Sequence, residues 1–178
     1  MFFVGHVTMS AMPRFPALVP IGVLLVGSLL PTAAAKPPEA GDEAIPFVAE
    51  TLRRTTVDSD DLRGKVVVLQ FWASWCASCI DGMPALYALY DEHSGDDFEI
   101  VGISLDEDPR AARRVIAEFG LSWPQICDGQ GKNTELASSY EVSGTPRFVL
   151  VGRDGRVHAP YVRPSELESA VSALLDSE

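Results

Sequence analysis

Cys76-Ala77-Ser78-Cys79 puts two thiols three positions apart, directly after the apolar run Val66-Val67-Val68-Leu69-Gln70-Phe71 and at the opening of a helical pattern. A strand that hands two cysteines to the first turn of a helix suits thiol–disulfide exchange. The free N–H groups and the dipole of a helix start stabilise a thiolate on the first cysteine. The i, i+3 spacing carries the second sulfur one turn further along the same face. On this basis Cys76 is the exposed nucleophile and Cys79 the resolving partner that closes a disulfide with it. Two other uses of a CxxC compete. A zinc half-site needs two more ligands at sensible spacing, and His93, His158 and Cys127 are scattered and form no second knuckle. A permanent structural disulfide is the other alternative; the helix-start position and Trp75 immediately before the pair favour a reactive one.

The elements that must hold these thiols can be read around them. Residues 66–72 are apolar apart from Gln70, as expected of a strand buried on both faces. The helix from Cys76 carries Met83, Leu86, Tyr87 and Tyr90 on one apolar face, and Ser94-Gly95-Asp96-Asp97 ends it. Ile45 to Thr51 and the stretch to Asp61 predict an N-terminal strand pair. Phe98 to Leu105 is the next strand. Asp108-Pro109 starts a helix that faces Ala111, Val115 and Phe119 inward and closes at Gly120; Asp106, Glu107 and Asp108 are expected to cap it. A short strand surrounds Ile126, and Asn133 or Thr134 caps a helix to about Tyr140. Pro146 to Val151 and Arg156 to Tyr161 form a hairpin around Asp154-Gly155. The last helix opens on a Ser165…Glu168 capping box and buries Leu167, Val171, Leu174 and Leu175.

Phe71-Trp72-Ala73-Ser74-Trp75-Cys76 resembles the active-site approach of the thioredoxin superfamily, and Ser143-Gly144-Thr145-Pro146-Arg147 resembles its cis-proline loop. Pro84, eight residues after Cys76, matches the proline that kinks the active-site helix, removing one N–H near Ile80. The resemblance covers residues 44–176. The added helix and strand over 109–127 and the N-terminal segment resemble the exported thioredoxin-like reductases of the TlpA/ResA group. It implies an α/β thioredoxin fold, a central mixed sheet flanked by helices with an N-terminal strand pair and a central αβ insert. It also implies a reductant that maintains thiols on exported partner proteins, often in cytochrome c maturation, needs no cofactor or metal, and takes electrons from a membrane thiol transporter. Carried onto this chain, Thr145 and Pro146 bind an extended substrate segment, Trp75 is a partly exposed docking surface, and Trp72 either flanks the site or belongs to the core. The pattern also departs from the family. Thioredoxins place a buried aspartate where this chain has Gln70. Many TlpA/ResA-group proteins place a glutamate where it has Gly82, and most have a proline inside the CxxC. The proton acceptor for Cys79 is therefore open between water and Asp81, which is otherwise an ordinary solvated helix residue.

The 178 residues suffice for one domain with a substantial core. Arg14, the apolar stretch Ala17 to Leu30 and Ala33-Ala34-Ala35 have the layout of a secretory signal peptide. Residues 1–35 are thus expected to be a signal peptide or N-terminal anchor, 36–44 a linker and 45–178 the thioredoxin-like domain. Export points to a bacterial periplasm or cell envelope. Beyond residue 35 the chain holds 13 Lys+Arg against 25 Asp+Glu, a net charge of −12. That excludes the basic footprint nucleic acid needs, and a monomer is expected. Cys127 is left over by the pair and is expected to be a buried core thiol. Two other functions compete. A peroxiredoxin-type peroxidase wants a Pro-x-x-x-Thr-x-x-Cys stretch that the approach to Cys76 lacks. A non-catalytic binding module would have little use for the retained pair, Pro84 and Thr145-Pro146.

Overall fold

The computed structural model describes residues 36–95 and 97–177. Val66–Trp72 (here β3) is the organising strand: all seven residues are buried, and four of them are Val or Leu, which suit a sheet covered on both faces. It lies third in a five-stranded mixed sheet ordered β5-β4-β3-β6-β7. Phe98–Ser104 (β4) pairs parallel to it with Trp72 opposite Ser104. Arg147–Val151 (β6) pairs antiparallel with Gln70 opposite Phe148. Gln125–Ile126 (β5) extends the sheet beyond β4, and Val157–Val162 (β7) extends it beyond β6. Val48–Glu50 (β1) and Thr56–Asp58 (β2) form the separate antiparallel pair expected at the N-terminal side.

Among the described residues, four α-helices flank the sheet. Ala77–His93 (α1) follows β3 and contains Pro84. Pro109–Phe119 (α2) is capped by the Asp108 carboxylate, which accepts from the Arg110 N–H at 2.9 Å, and is closed by Gly120 at φ 63°. Glu135–Ser139 (α3) precedes β6, and Leu167–Leu175 (α4) packs against β3. One apolar cluster joins sheet and helices. The insert is tied into it by Trp123, fully buried against the Tyr90 ring with centroids 5.2 Å apart.

Gln125 makes the narrowest fit. Its Oε1 accepts from the Trp72 Nε1–H at 2.9 Å, and its register partner is Gly102. A Cβ on Gly102 would overlap the Gln125 side chain, so the glycine is required by close approach.

Several expectations are corrected. On α1 the expected Met83 and Leu86 are buried and Tyr90 packs partly buried against the core, but Tyr87 is 41% exposed and Leu89 is buried instead; the periodicity fits both positions and packing selects Leu89. On α2 Ala112 replaces Ala111 in the core, one residue round the helix, and Phe119 is half-buried. The Ser165…Glu168 capping box does not form: Pro164–Glu166 makes a 3-10 turn, and Glu166 takes the cap position without a side-chain bond. Thr134 likewise caps α3 by position only, after a 3-10 turn at Gly131–Asn133. Residues 36–44 do more than link: Gly41 and Ala44 donate backbone N–H to Val157 and Gly155, and Val157 donates back to Asp42. Among the described residues no helix is long and apolar enough to cross a membrane. The expected signal peptide or anchor lies outside the described residues.

Candidate active site

The loop Ala73-Ser74-Trp75 leaves the C-terminal end of β3 and delivers Cys76 to the N-cap of α1. Asp106 at the end of β4 fastens this loop. Its carboxylate accepts from the Ser74 N–H at 3.0 Å, the Ser74 hydroxyl at 2.6 Å and the Ser104 hydroxyl at 2.7 Å. Asp106 is 3% exposed, so this charge is held by hydrogen bonds rather than by water, the condition under which a buried carboxylate is tolerated. Asp108 alone of the three acids caps α2 by its side chain; the expectation that Asp106 shares that task is corrected. Its role depends on a contact 32 residues away in sequence, which spacing does not reveal.

Cys76 and Cys79 are joined in a disulfide with Cα atoms 5.2 Å apart. The Cys79 N–H donates to the Cys76 sulfur at 3.2 Å, and the Ser78 hydroxyl stands 3.6 Å from the same sulfur. These donors converge on Cys76 at the positive end of α1, where negative charge on sulfur is stabilised. Cys76 is not the exposed residue expected. It is 6% exposed against 4% for Cys79, bonded to that residue at the N-cap of α1. What distinguishes the two sulfurs is their donors, not their accessibility. Ser78 is the site residue that sequence reasoning passed over; its position between the cysteines was the available signal.

The Thr145-Pro146 peptide is cis. Pro146 and Cys79 line one cleft of ≈ 280 Å³ together with Gln70, Gly82, Phe148 and Glu168. Gln70 is 2% exposed; its Nε2 donates to Met83 Sδ at 3.7 Å, and its Oε1 has no partner. Trp72 is fully buried, which resolves the alternatives for it in favour of the core. Trp75 is 59% exposed with the Lys132 ammonium 6.0 Å from its ring centroid. Beyond the proline, Arg147 donates twice to the Pro160 carbonyl and lies 5.2 Å from the exposed Tyr161 ring. Asp81 is exposed on α1 and does not line the cleft behind Cys79. Cys127 is a free thiol, half-buried, donating to the Asp106 carbonyl at 3.4 Å. Burial pushes its pKa up, only partly offset by neighbouring hydrogen bonds.

Comparison with known proteins agrees with this geometry. The Redoxin family model matches residues 39–175. The thiol-disulfide oxidoreductase ResA of Bacillus cereus is 32% identical over 119 residues, 67% of this chain and 67% of that protein. ResA of Bacillus subtilis is 28% identical over 117 residues, 66% of this chain and 64% of its own length. Among solved structures, a thiol-disulfide oxidoreductase from Bacteroides fragilis superposes with a TM-score of 0.68 at 28% identity, covering 75% of this chain and 99% of that one. The thioredoxin domain of an oxidoreductase of the same description from Bacteroides vulgatus gives 0.70 at 26% identity, covering 77% and 98%.

Proposed function

This chain belongs to the Redoxin family, as a TlpA/ResA-like member of the thioredoxin superfamily, and on that premise we propose that it reduces disulfides on exported partner proteins. It is a thiol–disulfide oxidoreductase. In the proposed cycle the Cys76 thiolate attacks one sulfur of the partner disulfide and expels the other as a thiolate. Cys79 then loses its proton and attacks the Cys76 sulfur of the mixed disulfide. The Cys76–Cys79 bond forms, the second partner sulfur leaves, and two electrons have passed to the partner. The observation that carries thiol exchange by this pair is the convergence of the Cys79 N–H and the Ser78 hydroxyl on the Cys76 sulfur at a helix N-terminus. Those donors favour the charged form of the residue that attacks first.

Trp75, Thr145 and Pro146 receive the partner: an extended segment pairs with the backbone at Thr145, and Trp75 adds an exposed aromatic face. The proposed setting is the cell envelope, with residues 1–35 as signal peptide or anchor and a membrane thiol-electron transporter restoring the dithiol. The chain acts there as a monomer, and cytochrome c maturation is the process we favour. The resemblance to the exported reductases of the TlpA/ResA group supports this direction of electron flow.

A redox titration in glutathione and dithiothreitol buffers, read by thiol-trapping mass spectrometry, tests the reading. A reversible Cys76–Cys79 couple at or below about −270 mV, thioredoxin's range, is expected. A potential near about −120 mV would make the protein an oxidant. Absence of the couple at every poise would overturn thiol exchange itself.

A further inference from the structure

Resolution of the mixed disulfide requires that Cys79 give up a proton, and neither of the elements beside it offers a base. The buried β3 position behind it is Gln70, and the cleft-lining α1 position one turn on is Gly82. We propose that Glu168, in the first turn of α4, accepts the Cys79 proton across the cleft behind the disulfide. The inference deepens the thiol-exchange reading and rests on it.

Three observations converge. Glu168 and Cys79 line the same cleft, and Glu168 is the one carboxylate among its lining residues. That cleft is open at Gly82, where a Cβ would meet nothing within 4 Å. Its ≈ 280 Å³ is room for several water molecules at roughly 30 Å³ each, enough to relay a proton between groups not in direct contact. Finally, Gln70, which lines the same cleft with its Oε1 buried and unpartnered, is an amide and cannot take the proton itself.

The surroundings leave the task to Glu168. From α1, β3 and β6 the cleft is faced only by neutral side chains besides Cys79 itself. On its own side the charged neighbours Arg163 and Glu166 are engaged with each other at 2.5 Å. Glu168 is exposed, so a proton accepted from the cleft has a path to solvent. As the Cys79 sulfur attacks the Cys76 sulfur, the Cys79 S–H proton passes to the Glu168 carboxylate. The sulfur–sulfur bond to the partner breaks, the partner leaves as a thiolate, and the Glu168 carboxyl then releases its proton to water.

The test is a stopped-flow reaction of the fully reduced full-length protein with a chromogenic nitrobenzoate disulfide, in a Cys127→Ala background so that only the pair reports. The first thiolate released follows attack by Cys76, and the second follows resolution by Cys79. In Glu168→Gln the first phase is expected unchanged, while the second slows about tenfold at neutral pH, below the roughly 10²–10⁴-fold of a positioned acid or base because water in the cleft takes over part of the transfer. Its pH profile should then climb toward alkaline pH with the unassisted thiol. Glu168→Asp should recover part of the loss. A second phase in Glu168→Gln with the parent's rate and pH profile overturns the assignment while leaving thiol exchange intact. Absence of the first phase in the parent protein overturns both.

Discussion

Cys76 and Cys79 share a bond and nearly the same burial, yet they sit in opposite surroundings. Cys76 faces donors: a backbone N–H, a hydroxyl and the start of α1, with a loop behind it clamped by Asp106. Cys79 faces a cleft of neutral, mostly apolar side chains with one carboxylate at its edge. Polarity around the sulfur thus assigns the roles that exposure does not. The first environment lowers the cost of a thiolate, and the second keeps the thiol protonated until a proton can leave.

The largest expected effect comes from removing either sulfur. Cys76→Ser should abolish exchange, whereas Cys79→Ser should still attack and then accumulate the mixed disulfide, visible by mass spectrometry. If both variants behave alike, the asymmetry is wrong. Next comes the clamp. Asp106→Ala strands the buried Ser104 hydroxyl and the half-buried Ser74 hydroxyl and N–H, and should cost about 3 kcal/mol in urea unfolding. Ser78→Ala is gentler. Losing one donor disfavours the Cys76 thiolate, so alkylation of the reduced protein at neutral pH slows by up to about tenfold. Cys127 sets the baseline. Its raised pKa keeps it a thiol at neutral pH, so it should alkylate more slowly than Cys76 and speed up only as pH rises. Cys127→Ala should leave both exchange steps unchanged and cost about 1 kcal/mol by thermal unfolding.

Local signals served where one segment determines its own structure. The Val66–Trp72 run, the Asp108-Pro109 start and Gly120 end of α2, and the Cys76–Cys79 placement all follow from short stretches of chain. The misses share a different cause. Asp106 reads as a helix cap until β4 brings it beside Ser74. Tyr87 and Leu89 are rival positions that only packing separates. Ser165 has the residue type for a cap, but Pro164 turns the backbone into a tighter coil first. The cleft behind Cys79 was least legible, since it is built from α1, β3, the Pro146 loop and α4 together.

Gln125 bears on how far this domain could be trimmed. It accepts from Trp72 on the active-site strand, occupies the space reserved by Gly102, and takes the Leu52 N–H on its backbone oxygen at 2.7 Å. An engineer who excised the insert to reach a smaller scaffold would leave an indole N–H without an acceptor, a hole over a glycine and a loosened N-terminal hairpin. The added unit is a keystone between pieces made elsewhere in the chain, and a shortened variant would need Trp72 and Gly102 redesigned along with it.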